Sequence, residues 1–117
     1  MPPNDRRFLQ GTLEILILKT LTWGPMHGFG VAAWLEEGSG QVLRIEEGSL
    51  YPALHRMERK GWIEAEWRVT EKGRRAKYYR LTREGRTRLK TESKEWSRFA
   101  GAVSAILGGA KAPAWAR

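Results

Sequence analysis

The sequence predicts an α+β fold, mainly helical with one β-hairpin, on three observations. Apolar residues recur at helical spacing in three segments before residue 60, the period drops to two between residues 62 and 82, and a heptad-like series resumes in the last third. At 117 residues the chain can bury one core but not two, and 41% hydrophobic with 29% charged residues is a globular composition.

Residues 1–7, with two prolines, read as a frayed arm. The first helix is predicted over residues 8–23, where Leu9, Leu13, Leu16 and Ile17 form a stripe that Leu18 and Leu21 widen enough to meet more than one neighbour. Gly24-Pro25 ends it. A second helix, from about His27 to Glu37, is expected to bury Val31, Trp34 and Leu35. Gly28 and Gly30 in its first turn leave room for another backbone. Residues 38–40 close it, and residues 41–45 should be extended.

The third helix, within residues 46–61, has two faces. Leu50, Leu54 and Met57 share an inward one, whereas Tyr51, His55 and Arg59 share another, flanked by Pro52 and Arg56. Ser49 is the expected N-cap, which puts Pro52 early enough for its missing N–H to cost little. Gly61 suits the left-handed position that ends the helix.

Period-two alternation then predicts strands over residues 62–69 and 76–82, joined by a glycine-containing loop over residues 70–75. Thr82 should cap a last helix with Glu84 at its positive end. Along that helix Leu89, Trp96, Phe99, Val103 and Ile106 make a seam, interrupted at Glu92, of the kind that pairs two helices. Short helices, then a basic-faced helix and a basic hairpin, are the plan of a winged helix-turn-helix. The expected division is a DNA-binding domain over residues 8–82, a dimerisation helix over 83–107 and a disordered tail over 108–117.

The net charge of +8 is local. Residues 68–90 hold ten Lys/Arg against Glu71 and Glu84, and the remaining chain is neutral. A merely solvated surface mixes its signs, so the clustering points to a polyanionic partner. With no cysteine, disulfides and thiolate metal sites are excluded, and an intracellular location is compatible. The longest apolar run, residues 13–21, contains Glu14 and Lys19, is too short to span a bilayer and lacks signal-peptide form. His27 and His55 stand far apart in sequence, and there is no glycine-rich phosphate loop, so neither enzyme chemistry, a metal nor a cofactor is expected.

Several stretches in this order resemble the PadR family of bacterial winged helix-turn-helix transcriptional regulators. They are residues 13–21, His27-Gly28-Phe29-Gly30, Gly48-Ser49-Leu50-Tyr51-Pro52-Ala53-Leu54, Lys77-Tyr78-Tyr79-Arg80-Leu81-Thr82 and Gly85, which together span roughly residues 9 to 90. Phe29 departs from the tyrosine the family often has there. With one helix after the hairpin, the chain looks like the short-form subfamily. The resemblance implies a cytoplasmic homodimer, nucleoid-associated when bound to a near-palindromic operator in double-stranded DNA, and repressing nearby genes until a ligand relieves it.

Candidate DNA contacts are Ser49, Tyr51, Pro52, His55, Arg56 and Arg59 on the third helix and Lys72, Arg74, Arg75 and Lys77 on the hairpin. The helix should choose bases, while the hairpin sets affinity and its salt dependence through the backbone or minor groove. Some short-form members are similar to multidrug sensors that hold a planar aromatic compound between subunits with a tryptophan of the last helix. Trp96 lies where that residue would be, with Phe99, Val103, Phe8 and Ile15 as the lining; it equally suits a plain dimer seam. The alternative function is RNA or protein binding by a winged helix whose dimer helix is purely structural, because fold alone does not fix function.

Overall fold

Helix α1 (Leu13–Leu21) is the hub of the computed structural model, which describes residues 12–109 and 111–116. Its Leu13, Ile17, Leu18 and Leu21 are buried on a stripe wide enough to meet α2 (Gly28–Gly38), α3 (Glu47–Arg59), β3 (Arg75–Leu81) and α4 (Arg83–Gly108). The predicted start at Phe8 lies outside the described residues. The helix stops at Leu21 rather than Trp23, because the Thr22 N–H turns back to the Lys19 carbonyl and Gly24, at φ +140°, swings the chain away.

Val31 and Leu35 of α2, Leu50, Ala53, Leu54 and Met57 of α3, and Ile63 and Tyr79 of the sheet complete the core. Trp34, expected inside, is exposed. Val31 and Leu35 use up the narrow buried stripe, and its indole lies along the helix surface over Gly38.

Helix α3 begins at Glu47, not after a Ser49 cap. The Glu46 carbonyl already accepts from the N–H groups of Ser49 (3.0 Å) and Leu50 (2.9 Å), and no side chain caps the end. Pro52 therefore sits inside the helix and offers no N–H to the Gly48 carbonyl. Gly48 is exposed, so water can serve that oxygen instead.

The sheet has three strands in the order β1-β3-β2, with β1 at Met26–His27 and β2 at Ile63–Val69. The β2–β3 hairpin matches the predicted alternation, with Ile63 opposite Leu81, Ala65 opposite Tyr79 and Trp67 opposite Lys77. Strand β1 was not foreseen. Two residues are too few to show a period, and they become a strand only because the free edge of β3 accepts them, Met26 opposite Tyr79 and His27 opposite Tyr78. Residues 42–46 have no regular structure and pair with no strand.

The hairpin's base is tied to α4 through Thr82. Its hydroxyl accepts from the Gly85 N–H (3.0 Å), capping α4 as predicted, and its hydrogen faces the carbonyls of Gly61 (2.6 Å) and Trp62 (2.9 Å). Gly85 is buried so tightly here that a Cβ would strike the Trp62 carbonyl and lie 2.8 Å from Leu81 Cδ1. Neither the carbonyl nor the backbone behind it can move without opening the junction. Gly85→Ala should thus destabilise the protein by about 2–3 kcal/mol, and Thr82→Ala, which removes only the cap and its bonds, by about 1 kcal/mol. Urea denaturation of the two variants reads both values, and unchanged midpoints would refute the junction.

Candidate nucleic-acid interface

Helix α3 turns its buried residues toward α1, which leaves Tyr51, Pro52, His55 and Arg59 together on its exposed side. Ser49 is half-buried at the edge of that surface. Arg56, expected among the contacts, is turned back: its Nε stands 3.5 Å from Glu14 of α1. Tyr51 is held from behind by α2. A Cβ on Gly28 would come within 2.8 Å of Tyr51 Cε1, so this glycine makes room for a phenol ring, not for the backbone anticipated. Gly30 is likewise hemmed in by the side chains of Met26 and His27.

The wing, β2 with β3, has two unlike faces. On the outer one Arg80 pairs with Glu64 (2.6 Å) and Arg68 with Glu66 (2.5 Å), while the Arg68 guanidinium also covers Tyr78. That face has neutralised itself. On the inner one Lys77 is drawn to Glu58 of α3 (3.1 Å) and lies over the Tyr79 ring, which makes it a strut between α3 and the wing. Among the described residues no carboxylate pairs with Lys72, Arg74 or Arg75. All three are exposed at the loop, where Gly73 takes φ +78° and the Thr70 N–H reaches the Arg74 carbonyl at 2.7 Å. Burial raises the Tyr79 phenol above its usual pKa; nearby Lys77 opposes this, and Glu58 and Tyr51 reinforce it.

Between the wing and the start of α2 lies a groove of about 570 Å³ with Phe29, Tyr51 and Trp67 on its walls and Lys72, Arg74, Arg75 and Lys77 along the hairpin side. Aromatic walls with cationic rims suit a polyanion that also carries flat or apolar surface. His27, singled out at first only within a motif, borders the groove and has two structural tasks. Its Nδ1 accepts from the Gly30 N–H (2.9 Å) as the α2 cap, and its ring meets Tyr78 edge-on at 5.2 Å. The available signal was a histidine directly before Gly-Phe-Gly at a helix start. Trp67 enters the sequence pattern only as one residue of an alternation, and its place on the groove wall follows from the fold.

Away from the groove, α4 runs for 26 residues, about 39 Å at the usual rise, in a molecule 66 Å long. Leu89 packs on the core and Glu92, where the seam breaks, is paired with Arg88 at 3.0 Å. Beyond it Trp96 (46% exposed), Phe99 (62%) and Ile106 (72%) face water with Val103. A shallow trough of about 310 Å³ lies along Phe99, Val103 and Ile106, and Trp96 tilts against Phe99 at 6.1 Å. Ile15 is half-buried on α1 and does not line the trough; Phe8 lies outside the described residues. No described helix is long and apolar enough to cross a membrane.

A three-helix core whose third helix shows a polar face beside a basic hairpin defines the winged-helix class. The chain belongs to the PadR-like family of transcriptional regulators, whose family model matches residues 17–91. It is therefore a transcriptional regulator and not an enzyme. A transcriptional regulator of Mycobacterium tuberculosis is 35% identical over 105 residues, covering 89% of this chain and 91% of that protein. Among solved structures, a PadR-like regulator from Bacillus cereus superposes with a TM-score of 0.76 at 28% identity, over 88% of this chain and 98% of that one. A transcriptional regulator from Clostridium thermocellum gives 0.77 at 26% identity, over 84% and 95%.

The Gly28–Tyr51 contact sets the pose of an exposed aromatic ring on α3, and a double-mutant cycle measures it. Gly28→Ala should cost about 1–2 kcal/mol in wild type and clearly less when Tyr51→Ala has already emptied the space. Strict additivity in denaturation of the four proteins would show that the ring does not rest there.

Proposed function

We propose that this chain is a sequence-specific DNA-binding repressor that acts as a homodimer. The observation that carries the reading is the conjunction of the exposed Tyr51–His55–Arg59 side of α3 with the unpaired cations of the wing loop. In this reading α3 enters the major groove, and Tyr51, His55 and Arg59, bordered by Ser49 and Pro52, meet base edges or phosphates. Lys72 and Arg74 neutralise phosphates. Arg56 and Lys77 serve mainly by positioning, through Glu14 and Glu58. Two copies place two such helices roughly 34 Å apart on a near-palindromic operator.

Phosphate contacts carry no sequence information and release about 0.9 counterion each. The double variant Lys72→Ala/Arg74→Ala should hence bind operator and unrelated duplexes more weakly by the same factor, with its log K against log [salt] slope shallower by roughly two. Fluorescence anisotropy across a salt series reads this. A changed operator preference with the slope intact would contradict the assignment.

The exposed seam on α4 supports the dimer, since Trp96, Phe99, Val103 and Ile106 stay exposed among the described residues. An aromatic near a two-fold axis occurs twice, so the paired Trp96 rings form a slot for a planar aromatic effector, with Phe99 and Val103 beside it. Ile106→Glu should leave a folded monomer in sedimentation, and Trp96→Ala a dimer that binds a planar cationic dye at least tenfold more weakly. A dimeric Ile106→Glu protein, or equal dye affinity with and without Trp96, would remove the corresponding half of the reading.

A further inference from the structure

Trp67 (59% exposed) and Val69 (68%) stand side by side on the inner face of β2, largely open to water. Opposite them across the ladder are Lys77 and Arg75. The Arg75 guanidinium lies over the Trp67 indole, 5.0 Å from the ring centre, and no carboxylate competes for it among the described residues. Large apolar side chains on a protruding strand are unfavourable in water at about 25 cal/mol per Å² and risk pairing with other chains. The outer face of the same hairpin shows the alternative, charges matched to charges. The inner face therefore suits a surface that is anionic and at the same time offers something for an indole to pack on.

We propose that the Trp67–Arg75 pair reads the shape of the DNA minor groove beside each site held by α3. The inference rests on the DNA-binding reading and deepens it. The groove's walls are deoxyribose rings, which give the indole an apolar surface, and where A·T pairs narrow it the negative potential at its floor rises and attracts a guanidinium. Resting on the indole, the guanidinium is already oriented and loses little freedom on entry. A G·C pair puts the guanine amino group into the floor, where it meets the cation as a second donor. Seven strand residues reach about 23 Å, so a wing rooted beside α3 extends to the minor groove flanking the major groove that α3 occupies. The wing thereby confers an A·T preference at base pairs that no side chain of α3 touches. Arg75 thus differs from Lys72 and Arg74, which contact phosphates of any sequence.

The test starts from full-length protein and selection from a random duplex DNA pool, followed by anisotropy on the selected site with its flanks changed. Wild type should enrich a two-fold core with A·T flanks and bind at least fivefold more weakly when the flanks are G·C. Flanks of inosine·cytosine, which lack the minor-groove amino group, should restore A·T-like affinity. Trp67→Leu and Arg75→Lys should keep the core motif and lose the flank discrimination to within twofold; melting curves monitored by circular dichroism confirm folding, and the second variant stands if the first fails to fold. A selected core without flank discrimination, discrimination retained in the variants, or inosine·cytosine behaving as G·C would each overturn the proposal while leaving DNA binding intact. Failure of wild type to select any core would instead bring down the DNA-binding reading, and this inference with it.

Discussion

The Thr82 hydroxyl joins the parts of this molecule that must act together. It faces the Gly61 and Trp62 carbonyls where α3 has just ended, and it holds the first turn of α4 by the Gly85 N–H. Gly61, at φ +79°, makes the turn that brings those carbonyls into place. A second tie lies alongside: Lys60 and Arg88 each lie 4.7 Å from the centre of the Trp62 ring, so a residue of α4 contacts the base of the wing. Each such contact is worth about 0.5–1 kcal/mol at an exposed site. The same few atoms thus set both the wing's angle and the direction of α4.

Charge is divided with the same economy. Of the ten basic residues within 68–90, Arg68, Lys77, Arg80 and Arg88 are matched by Glu66, Glu58, Glu64 and Glu92. The cations left without a carboxylate on the wing are therefore fewer than the +8 excess suggests and, among the described residues, come down to Lys72, Arg74 and Arg75. Clustering in sequence marks the hairpin as basic, but only pairing across strands and onto α3 shows which of its cations are already matched. Lys77 and Arg56 illustrate the pairing: each stands within ion-pair distance of a carboxylate on another element, Glu58 and Glu14.

The wing was legible because its alternation and its glycine loop are local signals, and both predicted strands form, with the second starting one residue earlier, at Arg75; the pairing of one strand with the other is read from the structure. The α3 faces were legible for the same reason, with Leu50, Leu54 and Met57 buried as expected and Ala53 added by the fold. The start of α3 was not, because a proline inside a helix is tolerable only where the carbonyl it abandons reaches water, and that exposure at Gly48 belongs to the assembled fold. Strand β1, the Gly28–Tyr51 fit and the exposure of Trp34 likewise arise between elements distant in the chain.

What the sequence determined by itself is therefore the set of parts: three short helices, a basic hairpin, a long capped helix with an apolar seam, and a family pattern that names them. Periodicity, caps and turns act over a few residues, so they can be read one segment at a time. The tertiary structure decided which cations remain open, which face of the wing carries Trp67 beside Arg75, and how one threonine hydroxyl locks wing to helix. Those outcomes depend on groups that only folding brings within bonding distance, as Lys77 and Glu58 at 3.1 Å, nineteen residues apart, illustrate.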